Sequence, residues 1–250
     1  VDALKQLGVN SGDELLVHSD ISPMTDRDTN LKSVLDNVLE SLTSSLGPDG
    51  TLVAPTFNYD FCGGQPYDHV RSKSQVGLFS EWVRTRPTAI RSFHPIFSFA
   101  GIGTGTNKLL TARSNSSFGQ GSVFENMFDS NTKILFLDVS FEACTFVHFV
   151  EQRVGIEYRY LKTFTGEVTR DARTWTDSFY FFVRPLNQLV DTYFGRLETR
   201  LLESGDMNAV EFNGSKLLLT SANKIFATAS AMIAESKYSL LRHPPSPMES

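Results

Sequence analysis

A chain of 250 residues with 40% hydrophobic and 20% charged side chains has the balance of an ordinary globular protein, long enough to bury a substantial core. Its formal net charge of -5 lacks the surplus of Lys and Arg that neutralising a phosphate backbone demands, which argues against a nucleic-acid partner. Its two cysteines, Cys62 and Cys144, form no CxxC pair, which excludes a zinc ribbon or thioredoxin-like motif and fits a reducing, cytoplasmic setting.

No run of about 18 apolar residues occurs, so no membrane span is expected. Val1 to Gly12 lacks a basic region followed by an apolar stretch, so no signal peptide is expected. The start at Val1 rather than Met leaves room for a short preceding segment.

The first unit runs from Glu14 to Phe57. Leu15, Leu16 and Val17 follow the turn signal Ser11-Gly12-Asp13 and read as a buried strand. Leu31, Val34, Leu35, Val38, Leu39 and Leu42 recur at helical spacing, with Thr29 or Asn30 as candidate cap. Leu46-Gly47-Pro48 stops that helix, and Asp49-Gly50 turns the chain into a second strand, Thr51 to Ala54. Strand, helix and strand within about 45 residues make a parallel βαβ unit.

Further along, the pattern predicts a helix over Val76 to Arg84, a strand near Phe97 to Ala100, a buried strand over Lys133 to Leu137 and a helix from about Cys144 to Val154. Tyr160 to Val168 and Thr174 to Val183 read as strands. Pro185 to Glu203 reads as one amphipathic helix, with Leu186, Leu189, Val190, Tyr193, Phe194, Leu197 and Leu201 on a single face. Asn213-Gly214 is a type I′ hairpin signal, and Ala222 to Ser236 a last helix. Three prolines after Arg242 suggest a loose tail over about 242–250. The expected class is α/β in one domain, residues 1–250. A mixed, mainly parallel central sheet is flanked by helices, with antiparallel strands and helices added in the C-terminal third.

Ligands of open α/β sheets collect at the carboxyl ends of strands. That rule selects His18-Ser19-Asp20, Pro55-Thr56-Phe57 and Asp138-Val139-Ser140 and expects them to be neighbours. His148 and Glu151 are i, i+3 on the helix after the third of these strands, so their side chains share a face. With Thr145 as cap, His148 falls in the first turn, where the positive helix end favours a neutral imidazole able to accept a proton. On spacing alone a half-exposed helix with a surface His–Glu pair is the commoner case. His94 reads either as a loop histidine bonded to backbone or as a ligand-loop residue, and His18 as a strand-end residue with a structural role.

No HExxH or similar set occurs, so no metal is expected. Gly101-Ile102-Gly103-Thr104-Gly105 departs from GxGxxG and opens no evident helix, and no GxSxG surrounds any serine. Arg71, Lys73, Arg84, Arg86 and Arg91 are either a solvated surface or a counter-charge for phosphates. The 20 Phe read as core filling or as pocket walls.

The order of the segments then adds information. Gly12-Asp13-Glu14-Leu15-Leu16-Val17-His18-Ser19, Gly47-Pro48-Asp49-Gly50-Thr51-Leu52-Val53-Ala54-Pro55-Thr56-Phe57, Ser74-Gln75-Val76-Gly77-Leu78, Arg91-Ser92-Phe93-His94-Pro95-Ile96-Phe97-Ser98, Gly119-Gln120-Gly121-Ser122-Val123-Phe124-Glu125 and Thr145-Phe146-Val147-His148-Phe149-Val150-Glu151 follow one another along the chain. Together with Gly214-Ser215 before the last helix, they resemble the aminoglycoside 3-N-acetyltransferase family from residue 12 to about 235. The resemblance implies an N-acetyltransferase that uses acetyl-coenzyme A as co-substrate, a small-molecule amine as acceptor and no metal. It implies His148 as general base with Glu151 in support, and a coenzyme site lined by His18, Ser19, Asp20, Thr56, Ser74, Val76, His94 and Pro95. A homo-oligomer is compatible with it.

Asp20 stands where the family often has Ser, Asp138 where Gly is usual, Cys144 for a common Asn and Val123 for Pro, which puts the acceptor in doubt more than the reaction. A polycationic aminoglycoside would draw on carboxylates, with Asp20, Asp138, Glu142, Glu151 and Glu157 as candidates. A nucleotide-linked amino sugar of surface-polysaccharide synthesis would need cations, with Arg153 and Arg159 as candidates. A binding-only relative is the third reading.

Overall fold

In the computed structural model, which describes residues 2–25 and 30–247, the chain opens with helix α1 (Asp2–Leu7) and strand β1 (Glu14–Ser19). Helix α2 (Leu31–Leu46) starts at Asn30, whose side chain accepts a hydrogen bond from the Ser33 N–H, while Thr29 lies outside the described residues. It stops at Gly47, whose φ of +66° a side chain would strain. Strand β2 (Thr51–Pro55) follows and pairs with β1 in parallel, so the βαβ unit is present.

Next come β3 (Tyr67–Asp68), α3 (Leu78–Arg84), β4 (Ile90–Arg91), β5 (Phe99–Gly103), α4 (Thr106–Leu110), α5 (Val123–Asp129), β6 (Lys133–Leu137) and α6 (Phe146–Val154). The long strands β7 (Tyr160–Arg170) and β8 (Arg173–Val183) precede β9 (Gln188–Leu189), α7 (Gly195–Glu203), β10 (Asn208–Phe212), β11 (Ser215–Ser221), α8 (Ala222–Glu235) and β12 (Ser246–Pro247).

Seven strands form the central sheet in the order β10-β11-β6-β1-β2-β5-β4. β6, β1 and β2 are parallel at its centre, and the strands on both sides of them are antiparallel. The antiparallel additions therefore come from the middle of the chain, as β5 and β4, as well as from its end. Gly103, at φ +124°, passes so close to Gly50 that a Cβ would strike the Gly50 carbonyl oxygen.

Alternation along the strands splits the core in two. Leu16, Val53, Ile134, Phe136 and Leu218 face one side, where α5, α6, α7 and α8 pack with a dense set of phenylalanines. Leu15, Val17, Leu52, Leu135 and Leu137 face the other, where α1, α2 and α3 pack. Most of the phenylalanines are thus core, among them Phe99, Phe118, Phe124 and Phe146 in mutual edge or tilted contacts.

Three expectations require correction. The helix over Pro185 to Glu203 forms only from Gly195. Before that, Leu186 and Leu189 are exposed, and the backbone is extended by pairing of β9 with β12 and of Thr192 with Leu241. Those tertiary backbone bonds override the helical spacing. The segment Arg242 to Pro247 is not loose, because Arg242 bonds to Asp191 through both backbone and side chain and β12 docks on β9; residues 248–250 lie outside the described residues. The Gly101–Gly105 run does lead into a helix, the five-residue α4, but from an antiparallel strand, so it forms no dinucleotide-binding unit.

β7 and β8 join through Asp171 and Ala172, both at positive φ, and form with β3 a separate three-stranded sheet. Asn213 and Gly214, at φ +51° and +80°, make the hairpin between β10 and β11.

Candidate active site

β1, β2 and β6 end side by side, and their carboxyl ends open into a cavity of about 440 Å³. Its walls are His18, Ser19 and Asp20 after β1, Pro55, Phe57 and Tyr59 after β2, Val76 and Gly77 before α3, and Val139, Glu142, Ala143, Thr145 and His148 after β6. The three strand-end segments selected by the sheet rule therefore meet in one place. The volume suits a small-molecule ligand.

His148 is the third residue of α6, and its N–H donates to the Thr145 carbonyl, 3.0 Å away. Its side chain is 21% exposed, on the cavity side. Nδ1 lies 2.7 Å from Oε2 of Glu151, which is wholly buried one turn further on. An ionised carboxylate at that distance takes the Nδ1 proton as a hydrogen bond, which leaves Nε2 as the ring's unprotonated nitrogen. Phe118 and Phe194 flank the ring at 5.6 and 5.9 Å.

Burial lowers the His148 pKa, the Arg159 charge lowers it further, and the nearby Glu151 carboxylate opposes both; the net direction is down. Burial alone would push Glu151 up, but the contacts from His148, Arg159 and Tyr158 outweigh it and hold the carboxyl low. Near neutral pH the pair is an uncharged imidazole on an anionic carboxylate.

Two residues past α6 complete this environment. Tyr158 Oη donates to Glu151 Oε1 at 2.8 Å. Arg159 Nε stands 2.9 Å from Glu151 Oε2, but its N–H is not aimed at that oxygen, so the contact is one of charge rather than of a directed hydrogen bond. Tyr158 carries no motif signal in the sequence. Arg159, read there as a counter-charge for an acceptor, is instead 6% exposed and faces Glu151.

The other expected site residues divide between wall and support. His18, Ser19, Asp20, Val76 and Glu142 line the cavity. Burial pushes His18 down to about 4, and its ring stacks on Phe136. Asp20 is exposed, and bonds from Ser22 hold its carboxyl below the usual range. Glu142 Oε1 accepts from the N–H groups of Phe194 and Gly195, so this wall residue also caps the start of α7.

Thr56 is fully buried beneath the wall and hydrogen-bonds Ser98. Ser74 lies beside the wall, bonded to the Val76 N–H through its hydroxyl and to Glu81 through its own N–H. His94 is buried; its Nδ1 accepts from the N–H groups of Ile96 and Phe97, and burial pushes it down to about 3. Pro95 is buried next to it.

Asp138 accepts from Ser215 and from the Lys216 N–H, joining β6 to β11, and does not line the cavity. Glu157 is exposed and pairs with Lys237. Phe57 lines the wall as the strand-end rule expects, whereas Tyr59, Ala143 and Thr145 are wall residues that nothing in the sequence singled out as ligand contacts.

The basic cluster is also absent from the wall. Arg91 donates to the carbonyls of Thr56, His69 and Ser72, Arg84 pairs with Glu81, and Arg86 lies over the Trp82 ring. Among the described residues, no group of three His, Cys, Asp or Glu is placed to hold a metal ion, and no helix is long and apolar enough to cross a membrane.

The sequence model of the aminoglycoside 3-N-acetyltransferase family matches residues 16–234. A curated relative, aminoglycoside N(3)-acetyltransferase IV of Salmonella, is 28% identical over 164 residues, which is 63% of this chain and 59% of that enzyme. The chain thus spans about three-fifths of the length of that relative. The solved structure of AAC-IIIb in binary complex with CoASH superposes with a TM-score of 0.80 at 22% identity, covering 98% of this chain and 97% of that one. The structure of AAC-VIa bound to sisomicin gives 0.79 at 20% identity, over 94% of this chain and 96% of that one. A cavity at the strand ends, a His–Glu pair on the following helix and a match over most of the length agree: this chain belongs to the aminoglycoside 3-N-acetyltransferase family.

Proposed function

We propose that this protein transfers an acetyl group from acetyl-coenzyme A directly to an amine of an aminoglycoside or related amino sugar. The observation that carries the reading is the His148–Glu151 pair, with one imidazole nitrogen on a buried carboxylate and the ring at a cavity wall. The acceptor nitrogen attacks the thioester carbonyl carbon while His148 Nε2 takes the proton that nitrogen loses. The tetrahedral intermediate collapses, the C–S bond breaks, and the thiolate leaves and is protonated, giving the N-acetyl amide and free thiol. Glu151 orients the ring and stabilises the imidazolium, a contribution of about 10²–10⁴ in rate for a placed base. His18, Ser19, Val76 and the loops supported by Thr56, Ser74, His94 and Pro95 form the proposed coenzyme side, and the Asp20 carboxylate beside them is assigned to drawing the cationic acceptor.

Direct transfer is favoured over a cysteine relay because burial pushes the Cys62 and Cys144 thiols up, to about 11 and about 12. A cationic acceptor is favoured over a nucleotide-linked one by charge. Among the described wall residues the charged ones are Asp20 and Glu142, both acidic, and Arg159 is turned onto Glu151. Thiol release from acetyl-coenzyme A, measured with a panel of aminoglycosides and nucleotide-linked amino sugars, tests this. Release with the first group and its loss in His148→Ala are expected. Release with no acceptor, or undiminished in His148→Ala, defeats the reading.

A further inference from the structure

The carboxylate behind His148 is held from more directions than orienting one imidazole requires. Glu151 is wholly buried, and each of its oxygens has its own neighbour beyond the histidine: Oε1 receives the Tyr158 hydroxyl at 2.8 Å, and Oε2 lies 2.9 Å from Arg159 Nε. A lone buried carboxyl in contact with an imidazole can relieve its desolvation by drawing the proton onto itself or by charging the ring. Either outcome would remove the free base. A hydroxyl donor and a guanidinium on the far side allow the carboxylate to stay ionised while the ring stays neutral.

We infer that Tyr158 and Arg159 are positioning residues that fix the charge state of the His148–Glu151 pair, Arg159 by its charge and Tyr158 by its hydrogen bond. The inference rests on the proposed role of His148 as base. Both residues lie in the turn between the αL cap Gly155 and β7, so the helix stop delivers them to the buried end of the pair. Because the Arg159 N–H is not directed at Oε2, its part is electrostatic, and a lysine can replace it where a neutral side chain cannot. The other charged or titratable groups near the ring line the cavity: Asp20, Glu142, His18 and Tyr59. Glu142 is engaged with backbone N–H groups and Asp20 is exposed, so neither replaces Arg159.

The test titrates the His148 ring by nitrogen-detected NMR in the whole protein and, in parallel, follows kcat/KM against pH. In Arg159→Gln the ring should titrate about one unit higher than in the parent, and the acid limb of the profile should move with it. Arg159→Lys should restore both positions, and Tyr158→Phe should shift them in the same direction by less. Should Arg159→Gln not fold, Arg159→Lys against Tyr158→Phe still gives the comparison. A ring that titrates alike in parent, Tyr158→Phe and Arg159→Gln overturns the inference, as does a shift that Lys fails to reverse. A ring that shifts as expected in a protein that transfers no acetyl group sustains the positioning role and overturns the function proposed above instead.

Discussion

Nδ1 of His148 lies 2.7 Å from Oε2 of Glu151, three residues apart on α6, with the carboxylate sealed in the core and the ring at the cavity wall. One side chain therefore sees protein only, and the other sees both protein and ligand space. In the proposed mechanism that asymmetry lets a buried charge act on Nε2, the ring nitrogen on the far side from the carboxylate.

The pH profile should show it. Burial and Arg159 lower the His148 pKa below the ordinary histidine value of 6.5, so the ring is protonated only in more acidic solution. Activity should rise with pH through an apparent value under 6.5 and level off above it, until acceptor ionisation intervenes. A limb at 7 or above would show a ring stabilised in its charged form, the reverse of the proposed environment.

Glu151→Gln should lower kcat by about 10²-fold or more, since the amide neither stabilises the imidazolium nor enforces the tautomer. It also strands Arg159 without its counter-charge, at a cost of about 3 kcal/mol in urea unfolding. Full activity in this variant would remove the carboxylate from the mechanism.

Asp20 is an exposed anionic group on the cavity wall. Asp20→Asn should raise KM for multiply charged amine acceptors about two- to fivefold, less so in high salt, and leave KM for acetyl-coenzyme A unchanged. Equal effects on both substrates would place Asp20 on the coenzyme side.

Acid stability should depend on two buried imidazoles. His18 and His94 are held neutral by burial, at about 4 and about 3, whereas the unfolded chain takes up their protons near 6.5. Their stabilising contribution is complete above 6.5 and diminishes as pH falls toward the folded values. Each should weaken the fold by about 1 kcal/mol per pH unit below about 6. Urea midpoints at pH 7, 6 and 5 should fall in parallel with this slope, and His94→Gln should flatten it. A midpoint that does not change over this range would mean that neither ring is desolvated as described.

Glu142 carries a structural duty beside its place on the wall. Glu142→Ala leaves the Phe194 and Gly195 N–H groups without their acceptor and should destabilise the protein by about 1–2 kcal/mol, while Glu142→Gln, which keeps an acceptor oxygen, should cost less. Equal loss in the two variants would show that charge rather than the cap matters there.

Periodicity and turn chemistry sufficed wherever local preference and burial agree. The buried runs Leu15 to Val17 and Ile134 to Leu137, the helix stopped at Gly47 and the Asn213-Gly214 hairpin all stand where the residues point. The His148–Glu151 pair was legible too, because i, i+3 spacing on one helix is set by backbone geometry alone.

What only the tertiary structure decided involves contacts between distant parts of the chain. Leu189 and Val190 fit the helical spacing, yet backbone pairing of Gln188 and Leu189 with Pro247 and Ser246, and of Thr192 with Leu241, keeps that stretch out of the helix. Arg159 and Tyr158 give no local sign of their contacts with Glu151, because the burial of Glu151 arises from packing that no short window contains. Asp138 and Glu142 look alike in sequence, both acidic and just past β6. Which one faces the cavity depended on where β11 and α7 pack against that loop.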